Sequence, residues 1–232
     1  MTEQAKAMIE GGARAAAAQV AAMKPRLRGV SHQYAFFVSL VAGAVLIVAV
    51  RGSEARVAMT IYAVALAGLF GTSALYHRVD WSPSRRRWMR RLDHSMIFVL
   101  IAGTYTPFAL LVLDGTLATV VLIVVWAGAL SGVVMKLAWI DAPKWVVAIS
   151  FVALGWVGVA VFPALLDHTG VTGAGLVAAG GLLYTVGALV YALRRPDPVP
   201  TVFGYHEVFH ALVIVAAALH FTAVAIYAAP AG

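Results

Sequence analysis

"TLATVVLIVVWAGALSGVVMK", residues 116–136, runs from Thr116 to Met135 without one ionisable side chain before it reaches Lys136. An α-helix rises about 1.5 Å per residue, so about 20 such residues cross the ~30 Å hydrocarbon core of a bilayer. The run has no period-two alternation and is twice as long as the ~10-residue strand of a membrane barrel. It reads as a membrane-spanning helix. The same pattern recurs over roughly 33–50, 57–77, 93–113, 144–163, 173–193 and 206–228, which makes seven spans in all.

The whole chain has the same character. Of its 232 residues 62% are hydrophobic and only 12% charged, with a mean hydropathy of +0.89. No ordinary soluble domain has this balance. In lipid the backbone must satisfy its own hydrogen bonds, and uniformly apolar runs do so as helices. The predicted fold is therefore all-α, a seven-transmembrane helical bundle. Short connections such as "LDGT" (113–116) make neighbouring helices antiparallel, and Gly173, Gly175, Gly180, Gly181 and Gly187 in the sixth span permit close packing.

Residues 1–32 form an alanine-rich segment with scattered charge, too weakly apolar for a secretory signal and read as either a surface helix or a disordered tail. The membrane domain is expected over 33–229.

Basic residues give the orientation, because cytoplasmic loops retain Lys and Arg. The N-terminal segment carries Lys6, Arg14, Lys24, Arg26 and Arg28. The connection after the second span carries Arg78, Arg85, Arg86, Arg87, Arg90 and Arg91. Lys136 and Lys144 flank the next connection on that side, and Arg194 and Arg195 the one after it. Only Arg51 and Arg56 fall on the opposite side. The N-terminus is expected in the cytoplasm and the C-terminus outside, in a multi-pass protein of the inner (plasma) membrane. The same distribution accounts for the net charge of +7 without nucleic acid. The expected partners of "SPSRRRWMRR" (82–91) are anionic lipid head groups.

There is no cysteine, so thiolate metal sites, disulfides and redox pairs are excluded, and any metal must be held by imidazole, carboxylate or water. "YHEVFHALVIVAAALHF" (205–221) places His206 and His210 four apart, on one face of a helix and about one turn from each other. That spacing suits one shared ion, but alone it fits equally two imidazoles bonded to backbone or head groups. Topology adds to it. "GTSALYH" (71–77) brings Ser73 and His77 to the cytoplasmic end of the second span, and "RLDH" (91–94) brings Asp93 and His94 to the same depth. Ionisable groups inside a membrane are unfavourable and are read as functional, with their partners named.

The residues point to neutral His77, His206 and His210 around a zinc ion, with a fourth position left for water. Three protein ligands and an open position are a catalytic pattern. Zinc lowers the pKa of its water from near 16 to roughly 7. Asp93 then serves as a carboxylate orienting that water or as a general base. Ser73 can bond the water, polarise a substrate carbonyl, or simply bond back to its own helix at i−4. His94 points about 100° from Asp93 and is expected to be interfacial or substrate-facing. His220, about 15 Å beyond His210, is too far for the same ion and is expected to bond another helix. Asp167 and His168 are expected in a solvated external loop, and Pro107 to kink the third span with Thr104 and Thr106 resatisfying the backbone.

Together, "SALYH" (73–77), "LDHSMIFVLIAGTYTPF" (92–108) and "HEVFHALVIVAAALHF" (206–221) resemble the haemolysin III family, the bacterial branch of the superfamily that includes progestin and adipoQ receptors and alkaline ceramidases. The resemblance covers the chain from about residue 30. It implies zinc at His77, His206 and His210, with Asp93 and Ser73 close by, and a cytoplasmic N-terminus. It also implies chemistry related to ceramide hydrolysis, and links to cytolysis and membrane lipid homeostasis. The short N-terminal segment here lacks the cytoplasmic domain of the animal receptors, so their adaptor and hormone binding do not carry over.

Three functions follow as expectations: a zinc-dependent, ceramidase-like lipid amide hydrolase, a zinc-stabilised membrane sensor without turnover, or a cytolysin. The last has the least support, since no span carries a polar stripe. A retinal protein would need a lysine in the last span, which has none. A b-type haem would leave Asp93 without a job, and no repeated halves of the transporter kind are visible.

Overall fold

The computed structural model describes residue 11 and residues 24–231. The expectations for the N-terminal segment up to residue 23 lie otherwise outside the described residues. The helices are α1 (Val30–Ala49), α2 (Ser53–Arg78), α3 (Pro83–Leu111), α4 (Gly115–Ala138), α5 (Lys144–Gly155), α6 (Val157–Leu193) and α7 (Tyr205–Ala223), which continues through a π-turn at Val224–Ala228. Among the described residues there is no named strand, only an isolated bridge between Val199 and Phe203.

α3 starts ten residues before the expected span. Pro83 takes the first helical position, where its missing N–H is no loss, and the arginine run forms the opening turns of the helix rather than a loop. Arg90 donates to Ile140 O at 2.7 Å and to Asp141 Oδ1 at 2.5 Å, and Arg91 to Leu137 O at 3.1 Å. These two hold α3 to the last turn of α4 and the connection that follows it. Arg85, Arg86 and Arg87 are exposed.

Six helical stretches among the described residues are long and apolar enough to cross a membrane, one of them the 50-residue Lys144–Leu193. At 1.5 Å per residue that stretch would be about 75 Å long if straight, more than twice a hydrocarbon core. It is not straight. Gly170 has φ 66° and ψ −178°, a conformation open essentially to glycine alone. The Trp156 Nε1–H donates to Thr185 Oγ1 at 3.1 Å across 29 residues, which a straight helix would hold ~44 Å apart. The chain therefore doubles back at Gly170. The expected loop around 164–172 reduces to that one residue, with Asp167 and His168 exposed in the helical turn before it.

Small residues let these helices approach. A Cβ on Gly132 of α4 would lie 2.4 Å from the Phe98 ring of α3, and one on Gly180 of α6 would lie 2.3 Å from the His220 ring of α7. One apolar cluster joins α1, α2, α3, α6 and α7 around Met59, Tyr62 and Leu66, and a second joins α3, α4, α5 and α6 around Phe98, Val125 and Leu154. The outer surface is apolar as well: Tyr34, Val48, Val171 and Leu193 are 70% or more exposed. A soluble protein hides such side chains, whereas lipid solvates them. The structure is an all-helical membrane bundle. Thr104 and Thr106 donate to Leu100 O and Ala102 O, one turn back, so neither caps the Gly103 carbonyl that Pro107 frees.

Candidate metal centre and cavity

Three helix ends meet where the histidines lie. α2 carries His77 in its last turn, α3 brings Asp93 and His94 in just past its arginine turns, and α7 opens with His206 and His210. The three expected ligands come together: one ring nitrogen from each of His77, His206 and His210 lies within 4.8 Å of the others. His77 Nε2 and His206 Nε2 are 3.1 Å apart, against about 3.4 Å for the edge of a tetrahedron of ~2.1 Å zinc–nitrogen bonds. Two imidazole nitrogens facing each other either share one proton or direct two lone pairs at one cation. The Nδ1 of His210 is buried without a hydrogen-bond partner. The donor set is all imidazole, which suits zinc, copper, iron or nickel and disfavours calcium and magnesium.

Asp93 and Ser73 lie beside this cluster. Both face one cavity with His94, His206 and His210. His94 donates from Nδ1 to Arg90 O at 2.7 Å, which leaves Nε2 to accept from Tyr191 O–H at 3.2 Å. Both nitrogens are thus engaged, and His94 is a wall of the cavity rather than a ligand. His220 donates from Nε2 to Val177 O at 3.0 Å, so it bonds another helix as expected.

The cavity measures about 340 Å³ and runs from the histidines between α3, α5, α6 and α7 as far as Phe162 and His220. Past its polar end it is walled by Leu100, Ile101, Phe108, Phe151, Val159, Val177 and Val213. An apolar channel with a few convergent polar groups at one end is the usual form of a small-molecule site.

Two residues that the structure brings to the cluster escaped the sequence reading. His32, in the first turn of α1, is buried at 3% exposure, bonds Ser73 Oγ through Nδ1 at 2.8 Å, and stacks on His210 with ring centroids 3.7 Å apart. It falls in what read as the end of an N-terminal tail, and no i,i+4 partner marks it. Glu207 is buried between the two α7 ligands; its Oε2 accepts the Gly204 N–H at 2.8 Å and its Oε1 pairs with Arg28 Nε. An acid three residues into a helix start is a capping signal that was available.

The site is tied to the chain's start from outside as well. Arg26 and Leu27 donate backbone N–H groups to Thr201 O and Val202 O at 3.0 and 3.1 Å. Gly29, with φ 79°, then turns the chain into α1 so closely that a Cβ there would lie 2.5 Å from His77 Cβ.

Comparison with known proteins gives a consistent assignment. Residues 20–221 match the family described as Haemolysin-III related. The chain is 30% identical over 178 residues to Hemolysin-3 of Bacillus cereus, covering 77% of this chain and 78% of that one. It is 30% identical over 171 residues to the Hemolysin-3 homolog of Bacillus subtilis (strain 168), covering 74% and 77%. It is also 24% identical over 173 residues to the monocyte to macrophage differentiation factor of Homo sapiens, covering 73% and 69%.

Proposed function

The chain belongs to the haemolysin III family, and from that premise we propose that it is a zinc-dependent hydrolase of lipid amides, ceramidase-like in chemistry and embedded in the inner membrane. One observation carries the reading: three buried imidazole nitrogens within 4.8 Å of one another stand at the polar end of an apolar cavity that Asp93 and Ser73 also line. A structural metal site has no need of an adjoining cavity, whereas a hydrolase acting on an acyl chain does.

On this reading the chain crosses seven times and the site lies on the cytoplasmic side. The reversal at Gly170 supports two crossings by Lys144–Leu193, and the arginine turns of α3 beside the histidines support a cytoplasmic N-terminus with anionic lipid around Arg85, Arg86 and Arg87.

His77, His206 and His210 would hold the ion, which would supply Lewis-acid activation of a water and of the amide carbonyl. Asp93 accepts the proton of the attacking water and returns it to the leaving amine. Ser73, on the wall of the same cavity, hydrogen-bonds the water or polarises the substrate carbonyl. The walls of α3, α5 and α6 take the acyl chain and keep bulk water from the reacting carbonyl. Lysis, the property in the name of the Bacillus cereus relative, follows here from altered lipid composition rather than from a pore.

The test is zinc content and fatty-acid release from N-acyl lipids by purified protein. Wild type is expected to carry one zinc and release fatty acid. Asp93→Asn keeps the zinc and slows release by on the order of 100-fold or more, while His206→Ala loses both. Wild-type protein purified without chelator and free of zinc refutes the proposal. Zinc without turnover on any lipid, with Asp93→Asn merely unfolding the protein, favours a zinc-stabilised sensor instead.

A further inference from the structure

The hydrolase reading leaves one dimension of the cavity without a task, its length. We propose that the cavity is a ruler for the acyl chain and that Gly181 of α6 is its specificity-determining residue. Having no side chain, Gly181 keeps the last turn of the cavity open, so that chains of up to about 14 carbons fit. The inference rests on the hydrolase reading for the acyl ligand and goes beyond it in naming the chain length.

Three helices measure the length independently. The lining runs from Asp93 to Phe108 on α3, from Tyr191 back to Val177 on α6, and from His206 to His220 on α7, which is 15, 14 and 14 residues. At 1.5 Å per residue each gives about 21–22 Å. Contacts pin the two ends together: His94 Nε2 meets Tyr191 Oη at 3.2 Å at one, and His220 Nε2 meets Val177 O at 3.0 Å at the other. A carbonyl held at the level of His210, one turn in, leaves about 15 Å to His220. An extended backbone advances about 3.5 Å over three bonds, so about 13 bonds fill that depth. The floor is closed by packing. Val112, Ala174 and Val224, one turn beyond the last lining residues, are buried in the apolar cluster that joins α1, α2, α3, α6 and α7.

Gly181 stands one turn above this floor. Val177, Gly181, Tyr184, Ala188 and Tyr191 follow at spacings of 4, 3, 4 and 3 along α6, the pattern of a single helix face, and all five line the cavity. A Cβ on Gly181 would meet no heavy atom within 4 Å, whereas one on its neighbour Gly180 would lie 2.3 Å from the His220 ring. Gly180 is therefore a packing glycine, and the space beside Gly181 belongs to the cavity. The wall is tied at the same level. Thr185, one turn from Gly181, accepts the Trp156 Nε1–H at 3.1 Å, which joins the start of α6 to its second half.

The experiment uses binding, which needs no turnover. Purified protein is offered an equimolar mixture of saturated free fatty acids from about 8 to 18 carbons. Retention is measured by mass spectrometry and referred to each acid's partition into protein-free micelles. Wild type is expected to retain chains up to about 14 carbons and to fall off beyond them. Gly181→Leu fills the turn above Val177, about 6 Å or five bonds of chain. It is expected to retain the shortest acids like wild type and to lose those near 14 carbons about 10-fold or more, the scale of overfilling a packed site. Gly175→Leu, whose Cβ also meets nothing within 4 Å but which does not line the cavity, is expected to match wild type at every length. Where Gly181→Leu fails to fold, Gly181→Val carries the same comparison with the same direction of shift. A wild-type profile still rising at the longest chains overturns the proposal, as does a Gly181 variant that loses short and long chains alike or follows wild type throughout. Wild type that retains no fatty acid overturns it too. A length cutoff in a protein that releases no fatty acid from any N-acyl lipid refutes the hydrolase reading and leaves the ruler standing.

Discussion

Neutral imidazole brings a metal ligand into a membrane without adding charge, and a chain with no cysteine has no thiolate to compete for the ion. That choice has a price in acid. Each of His77, His206 and His210 must be unprotonated to bind, and an ordinary imidazole takes up its proton near pH 6.5. If the cluster holds zinc as proposed, protons and metal compete for the same lone pairs, and binding weakens as pH falls. Apparent zinc affinity, measured by chelator competition, is expected to drop by more than about tenfold per pH unit in the acid range, because several ligands protonate together. A slope of one proton or less would mean that a single histidine holds the metal. His94 is expected to contribute nothing to this slope, since Arg90 O and Tyr191 already occupy both its nitrogens.

At the scale of the helix, the ligands are only as well placed as the ends that carry them. α7 begins beside Glu207, which caps Gly204 N–H and meets Arg28 from the N-terminal segment. Glu207→Ala removes both contacts and leaves Arg28 without its partner. Breaking a buried pair in this way destabilises by about 3–5 kcal/mol; with Arg28 still 19% exposed, a loss of about 2–3 kcal/mol is expected, read as a lowered Tm in detergent and weaker zinc binding. Gly29 tests the same coupling at α1. A Cβ in its left-handed conformation is unfavourable by about 1–2 kcal/mol, and here it would also collide with His77. Gly29→Ala is expected to weaken zinc affinity at least about tenfold. Gly175→Ala, which has open space around its Cβ, is expected to bind zinc like wild type, and equal behaviour of the two variants would show that α1 does not set the position of His77.

For the molecule as a whole, the question is how often the chain crosses. The absence of cysteine makes every single-cysteine variant free of background. With seven crossings and a cytoplasmic N-terminus, a membrane-impermeant maleimide added to intact cells is expected to label Asp114→Cys and Asp167→Cys. Ser84→Cys and Asp197→Cys are expected to react only after permeabilisation. All four positions are exposed. Protection of Asp167→Cys in intact cells would mean that Lys144–Leu193 does not reach the outer face at Gly170. The same topology would put the histidine cluster and its cavity on the cytoplasmic side.

The sequence alone determined the solvent, the helical class and the three histidines that come together. Charge-free runs of about 20 residues allow only one kind of backbone in lipid, and the clustering of His77, Asp93, His206 and His210 at one depth follows from connecting those runs alternately. Gly170 escaped as a hinge because one glycine among the many in this chain carries no mark of the left-handed angle it adopts. What only the tertiary structure decided is who stands behind the ligands. His32 and Glu207 come to the site from packing α1 and the 24–29 segment against α2 and α7, a contact 41 residues along the chain from His32 to Ser73 and 179 from Arg28 to Glu207. Spacing within a helix reports neighbours one turn away; it carries no information about which buried face another helix will bring to meet it.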